Sequence, residues 1–286
     1  MNAAYMLKTV NADFTSHGGF RWPRRGKVVA PDWDPEPVCG GGLHGLLWGE
    51  GDGGLLDWSD DAVWLVCKID ADTAVDLGGK IKVPEATVAH AGTRKTATAF
   101  LAAHAPGRSI VGGTATARDF GTATAGYGGT ATAGHRGTAT AGYGGTATAG
   151  LEGTATAGLE GTATAGDDGT ATAGDFGTAT AGHGGTATAG HRGTATAGDF
   201  GKATAGDGGT ATAGYGGTAT AGHRGTATAG LGGTATAGHG GTIVVRWQDG
   251  NRWRLAVGYI GEADLEPNVP YRCDDNGRLV RADGAK

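Results

Sequence analysis

The sequence predicts a mainly all-β protein. Its centre is a two-sheet parallel β-solenoid with 16-residue coils, Thr outward and Ala inward, capped by a small N-terminal α+β domain and a C-terminal β-hairpin domain. Three observations carry this. Residues 113–240 repeat one eight-residue phrase, Gly-Thr-Ala-Thr-Ala-Gly-x-x, sixteen times, and so short and strict a period marks stacked coils. Inside each octad Thr-Ala-Thr-Ala alternates with the period of a strand. Outside the array the composition is ordinary, and bulky side chains appear where the repeat stops.

The elements follow in chain order. Residues 1–92 hold five of the seven tryptophans, Trp22, Trp33, Trp48, Trp58 and Trp64, and read as a globular domain with its own core. Ala62–Ile69 reads as a buried strand, and Lys80–Val83, which alternates polar and apolar, as another. Asp32–Pro37 and Gly40–Gly42 read as loops. Residues 93–112 form a transition: Thr96-Ala97-Thr98-Ala99 is a first imperfect copy of the phrase, and Phe100–His104 a short helix covering the open end of the array. Residues 241–286 close the chain with two hairpins. One joins Thr242–Trp247 to Asn251–Val257; the other turns at Asn276-Gly277 between Tyr271–Cys273 and Arg278–Val280. A stack of strands needs such caps because it exposes unpaired edges and an open core at its ends.

Eight residues are too few for a closed coil, since four make the strand. Two octads per coil solve this: strand, Gly-x-x-Gly turn, strand, Gly-x-x-Gly turn, with the glycines expected to supply the positive φ of the reversal. Lys202 stands where the other octads carry their first Thr. A lysine cannot enter a core of small groups without a severe desolvation cost, so that position faces solvent and alanine faces inward. Octad n then lies over octad n+2. At the corners this sets Tyr127 over Tyr143, Arg136 over Glu152, Asp119 over His135, Asp175 over His191 and, unfavourably, Glu152 over Asp168. The corners read as solvated decoration.

Composition narrows the function classes. Glycine makes up 60 of 286 residues but without the three-residue period of collagen, and threonine at fixed places argues against a flexible linker. A formal charge of −5 leaves no basic stripe for nucleic acid. No apolar run approaches the ~18 residues of a membrane span, so neither partner is expected. Met1–Lys8 lacks a basic region followed by a long apolar one, and Cys39, Cys67 and Cys273 are odd in number and far apart. Together these lead us to expect no signal peptide, reduced thiols and a cytoplasmic location.

The repeat presents Thr114, Thr116, Thr122, Thr124, Thr130, Thr132, Thr138, Thr140, Thr146, Thr148, Thr162, Thr164, Thr178, Thr180, Thr194, Thr196, Thr210, Thr212, Thr226 and Thr228 as a surface array. Spacings are ~6.6 Å along a strand and ~4.8 Å between coils. Thr is also simply a good exposed strand former that keeps a surface wet. The octad resembles the Thr-x-Thr files of ice nucleation proteins, whose coils are also sixteen residues long and carry an Ala-Gly-Tyr-Gly motif. Ala125-Gly126-Tyr127-Gly128, Ala141-Gly142-Tyr143-Gly144 and Ala213-Gly214-Tyr215-Gly216 match it. It is similar as well to insect antifreeze solenoids that display Thr-x-Thr. These resemblances cover only residues 113–240 and imply ice or ordered water as a partner. Across its whole length the chain resembles uncharacterised bacterial and bacteriophage proteins. Cys39-Gly40-Gly41-Gly42-Leu43-His44-Gly45, Glu266–Arg272 and Asn276–Val280 carry that resemblance; it implies architecture and phage or prophage origin, and no activity.

Candidate chemistry outside the array is sparse. Cys39 and His44 are a potential zinc or nucleophile–base pair, but neither two further ligands nor an orienting partner is evident, and a glycine-rich turn with a packed histidine is the plainer reading. The array histidines His135, His183, His191, His223 and His239 sit at corners, where stacking in one column would bring metal ligands together. Asp32, Asp34 and Glu36 read as a solvated acidic loop, and Gly40–Gly42 lacks the Lys and Ser/Thr of a phosphate-cradling loop. No cofactor is expected. The sequence therefore favours a non-enzymatic scaffold rod that associates side by side or end to end with itself. The alternative is an ice-binding or water-organising Thr array, and a third reading is a binding or enzymatic N-terminal head carried on the rod.

Overall fold

The computed structural model describes residues 2–283 and divides into two compact units. The first runs to Ala115 and includes Thr124–Thr130; the second comprises Thr116–Ala123 and the chain from Ala131 onward.

The first unit is built on seven strands: β1 (Ala3–Val10), β2 (Gly26–Val29), β3 (Leu43–Leu47), β4 (Val63–Asp70), β5 (Val75–Asp76), β6 (Ile81–Val83) and β7 (Glu85–Gly92). Their order in the sheet is β2-β7-β4-β1-β3-β6-β5, with antiparallel pairing throughout. The period-two rule divides β1 between two cores. Met6 and Val10 join Trp22, Leu65 and Cys67 on one side, and Leu7 joins Trp64, Val66 and Leu101 on the other. The helix α1 (Arg94–His104) contributes Ala97 and Leu101 to that second core. It starts earlier than expected and takes in Thr96-Ala97-Thr98-Ala99. A lone copy of the phrase is flanked by no equivalent strand, so no ladder competes with the helix. Thr93 caps its N-terminus, and the Thr98 hydroxyl donates to the Arg94 carbonyl at 2.9 Å. The alternation of Lys80–Val83 also does not carry Lys82 to solvent. Lys82 is wholly buried because its ammonium donates to the carbonyls of Val38 (3.0 Å) and Gly40 (3.1 Å) in the folded-back loop.

In the second unit a strand recurs every eight residues, from Thr138–Ala141 to Thr234–Ala237. Up to Thr226–Ala229 each pairs in parallel with the strand sixteen residues on: Thr138 with Thr154 in one sheet, Thr146 with Thr162 in the other. The protein is thus a two-sheet β-solenoid with two octads per coil. Alanine methyls fill its interior; Ala147 and Ala149 are 0% and 3% exposed, and the later octads repeat those values closely.

The corners depart from expectation in one respect. The glycines that frame them are not the residues with positive φ. That conformation belongs to the second variable position: Glu160 (+56°), Asp168 (+54°), Phe176 (+58°), Arg192 (+54°). In Gly158-Leu159-Glu160-Gly161 the Gly161 N–H donates to the Gly158 carbonyl (3.1 Å), closing a turn of type II pattern. The Glu160 N–H donates to the Asp175 carbonyl one coil on (2.9 Å). This bond holds a side-chain-bearing residue in the left-handed region. The framing glycines answer a different need. A Cβ on Gly158 would lie 2.8 Å from the Gly142 carbonyl carbon and 2.9 Å from the Tyr143 nitrogen, in the backbone of the preceding coil.

The array ends as predicted, in two hairpins. Thr242–Asp249 continues one sheet in parallel, setting Ile243 and Val245 where Ala227 and Ala229 stand one coil back, and both are buried. The chain then reverses through Gly250 (φ +55°) into Arg252–Tyr259. In the other sheet Tyr271 pairs antiparallel with Ala235 and begins the hairpin Tyr271–Cys273/Leu279–Arg281, whose turn contains Gly277 (φ +81°). The Tyr271 hydroxyl accepts from the Glu266 N–H at 2.8 Å.

One corner therefore yields opposite outcomes at two neighbouring positions. Gly158→Ala drives a methyl into backbone and should cost about 1–3 kcal/mol. Glu160→Gly relieves a left-handed residue at the expense of chain entropy and should stay within about 0.5 kcal/mol of wild type. Thermal and urea unfolding of the two variants checks the order.

Candidate functional site

Parallel pairing in strict register turns each threonine of an octad into one member of a file. On the outward face of the first sheet Thr146, Thr162, Thr178, Thr194, Thr210 and Thr226 succeed one another, with Thr148 to Thr228 beside them. The rungs stand ~4.8 Å apart and the files ~6.6 Å. Each threonine brings one hydroxyl and one methyl on a side chain of restricted χ1, so every rung adds the same two groups to a lattice free of charge. The second sheet repeats the pattern with one break: Lys202 lies between Thr186 and Thr218. The threonines are exposed or half-buried while their alanine neighbours are buried.

Most of the sequence-predicted array residues stand together. Thr132, Thr146, Thr148, Thr162, Thr164, Thr178, Thr180, Thr194, Thr196, Thr210, Thr212, Thr226 and Thr228 belong to the first sheet, and Thr138 and Thr140 to the second. Thr116 and Thr122 also lie in the second unit, whereas Thr114, Thr124 and Thr130 fall in the first. The remainder of the second face, Thr154 and Thr156 onward to Thr236, was not among the named residues. The octad spacing was sufficient signal for it.

The corners flanking these faces do more than decorate. Where the first variable residue is Asp, its Oδ1 accepts the backbone N–H of the residue one coil on. Asp119 holds His135, Asp167 His183, Asp175 His191, Asp199 Tyr215 and Asp207 His223, all at 2.8–2.9 Å. The Asp–His pairs thus meet through backbone rather than imidazole. Arg136 and Glu152 form the expected ion pair (2.6 Å). Of the corner histidines, His223 and His239 stack with ring centroids 5.8 Å apart, and no group of three metal-ligating side chains occurs among the described residues.

Cys39 and His44 both have Lys80 nearby but make different contacts. Cys39 is exposed, its sulfur accepting from the Lys80 ammonium at 3.2 Å. His44, on β3, keeps a buried Nε2 without a hydrogen-bond partner. Burial, then the ammonium groups of Lys80 and Lys8, lower its pKa below the ordinary value. Cys67 is buried, which pushes its thiol up to about 12. No helix among the described residues is long and apolar enough to cross a membrane.

Comparison with known proteins finds ice nucleation proteins similar to about a third of the chain. The chain is 39% identical over 101 residues to ice nucleation protein InaU of Pantoea ananas, covering 35% of this chain and 10% of that protein. An ice nucleation protein of Xanthomonas campestris pv. translucens is 39% identical over 102 residues, 35% of this chain and 6% of its own length. One from Pseudomonas syringae is 34% identical over 105 residues, 36% and 9% respectively. The chain thus spans a tenth or less of these relatives. No family model matches it, and no solved structure does.

The His44 environment sets a pH dependence. A histidine whose folded pKa is depressed contributes stability that is present above the ordinary value of 6.5 and lost as pH falls through the folded value. The melting temperature should decline on acidification below about pH 6.5, and His44→Gln should flatten that decline. Melting curves of both proteins from pH 7.5 to pH 5 measure it.

Proposed function

We propose that the solenoid is a water-organising, ice-binding surface and that the first sheet's threonine face is the binding face. The carrying observation is the unbroken in-register pair of threonine files from Thr146/Thr148 to Thr226/Thr228. A lattice of hydroxyls and methyls with two fixed spacings presents water with repeating hydrogen-bond partners and repeating apolar hollows. Charged side chains, which would impose their own hydration shells, are absent from it. The similarity to ice nucleation proteins supports this reading over a passive scaffold. A template works over its own area, so a face of about eight coils is suited to binding ice or ordered water, and freezing it efficiently calls for a larger assembled surface. The test is thermal hysteresis and droplet freezing. Thr164→Lys/Thr180→Lys/Thr196→Lys, on the first face, should abolish activity; Thr156→Lys/Thr172→Lys/Thr188→Lys, on the face that already tolerates Lys202, should retain most of it. Equal behaviour of both variants and wild type would defeat the proposal.

A second feature supports self-association. The strand Arg252–Tyr259 ends its sheet. Because the Ile260 N–H donates to the Gly241 carbonyl, antiparallel alternation turns the backbone groups of Trp253, Leu255 and Val257 away from the hairpin partner. Those three side chains and Tyr259 are exposed, at 61%, 59%, 49% and 56%. Arg254 is held by Asp249 at 2.6 Å, leaving Leu255–Tyr259 uncharged. Two copies pairing antiparallel about Ala256 would set Trp253 opposite Tyr259 and Leu255 opposite Val257, with no like charges facing. Val257→Pro removes an outward-facing N–H without touching the internal ladder. Sedimentation should show the wild type as a dimer or larger species and this variant as a monomer; a monomeric wild type at tens of micromolar would refute the pairing.

A further inference from the structure

The first unit contains a cavity of roughly 450 Å³ beside the Gly40–Gly42 loop, lined among others by Lys8, His17, His44, Phe20, Trp22 and Asp32. Its size suits a small organic molecule. Lys8 is a central-strand residue of β1, half-buried, with no hydrogen bond or ion pair among the described residues. His44 brings a buried Nε2 that lacks a partner. Lys80 lies next to Lys8, and Lys80, Lys8 and Lys82 surround His44; Cys67, which acts on Lys8 in the opposite sense, is a buried thiol whose pKa is pushed up to about 12. Asp32, the carboxylate in the lining, accepts the Gly42 N–H on Oδ1 at 3.2 Å and forms no ion pair with Lys8 or His44 among the described residues. Lys80 and Lys82 are engaged elsewhere, on Cys39 and on the Val38 and Gly40 carbonyls.

A half-buried ammonium without a counter-charge loses part of its hydration uncompensated, and an unpaired buried ring nitrogen adds to the cost. Burial and the Lys80 charge both press the Lys8 pKa downward. An anion seated in the cavity reverses each of these penalties at once. It accepts charge-assisted hydrogen bonds from the Lys8 ammonium and from a protonated His44. Phe20 and Trp22, packed edge to face at 5.8 Å, supply an apolar wall. We propose that this cavity binds a small organic oxyanion, its phosphoryl or carboxylate group held by Lys8 and His44 and its apolar body resting on Phe20 and Trp22.

The test uses the full chain, with phenyl phosphate and benzoate as probes of the two oxyanions. Inorganic phosphate and benzyl alcohol supply the charge alone and the ring alone, with ionic strength matched by sodium chloride. Tryptophan fluorescence and melting temperature are read together. Phenyl phosphate or benzoate should give a saturable change and raise the melting temperature, inorganic phosphate a weaker effect, and benzyl alcohol none. Lys8→Met should melt no lower than wild type without probe and lose affinity by about tenfold or more. His44→Gln should lose affinity severalfold and decides the matter if Lys8→Met does not fold. Lys27→Met, which breaks an exposed pair with Glu85, should bind as wild type. Absence of a saturable response to either aromatic anion overturns the site, as does unchanged binding by both cavity variants or equal loss in Lys27→Met.

Discussion

The register of one coil upon the next governs the solenoid. Every residue from Thr138 to Ala237 has its own counterpart sixteen residues away, one strand spacing distant. No position is then free to choose its residue alone. A side chain at a framing position meets the backbone of the preceding coil, so glycine recurs. A side chain larger than methyl on the inner face would meet the opposite sheet, so alanine recurs. The outer face has no such neighbour, which is why Lys202 is accommodated there and why any outward side chain is copied into a file. The same register that builds the core also builds the surface lattice.

How legible this was depended on whether the decisive contact was local or distant. Period-two alternation and the length of a return path sufficed for strands, for two octads per coil and, through Lys202, for which side faces water. The reason for the first framing glycine of each corner was not legible, because the atoms that Gly158 avoids belong to a coil sixteen residues earlier. Likewise Thr96–Ala99 has the letters of the repeat without its neighbours. In their absence the Thr93 cap and the burial of Ala97 and Leu101 made it helix. Lys82 obeyed the strand pattern but met a loop forty residues away in sequence that supplied carbonyl acceptors. The cationic cavity was invisible for the same reason: Cys39 and His44 drew attention as neighbours in sequence, whereas the structure gives His44 its electrostatic company in Lys8, from the first strand.

The two sheets end differently, and the difference is physical rather than decorative. One terminates in the three-residue strand Leu279–Arg281, where Arg281 is paired with Glu266 and Asp283. Short length and fixed charge are the ordinary means by which an edge is kept from recruiting another strand. The other terminates in the eight-residue strand Arg252–Tyr259 with four large apolar side chains exposed. One edge is thus closed and one left open on the same unit. The open edge belongs to the sheet whose threonine files are unbroken, so strand addition there would lengthen that sheet beyond Val244 and Val257 without covering the files.

That geometry bears on scale. Each coil contributes two threonines per face, and ordering of water grows with the contiguous area that shares one lattice. A repeat array of sixteen octads, two to a coil, gives each face about eight rungs. Within one chain the lattice cannot be enlarged by thickening, because the alanine interior fixes the distance between the sheets. It grows only by more coils or by joining edges. Internal repetition achieves the first. An open edge on the sheet that carries the threonine files is what the second requires, and the uncharged stretch Leu255–Tyr259 offers one in this chain.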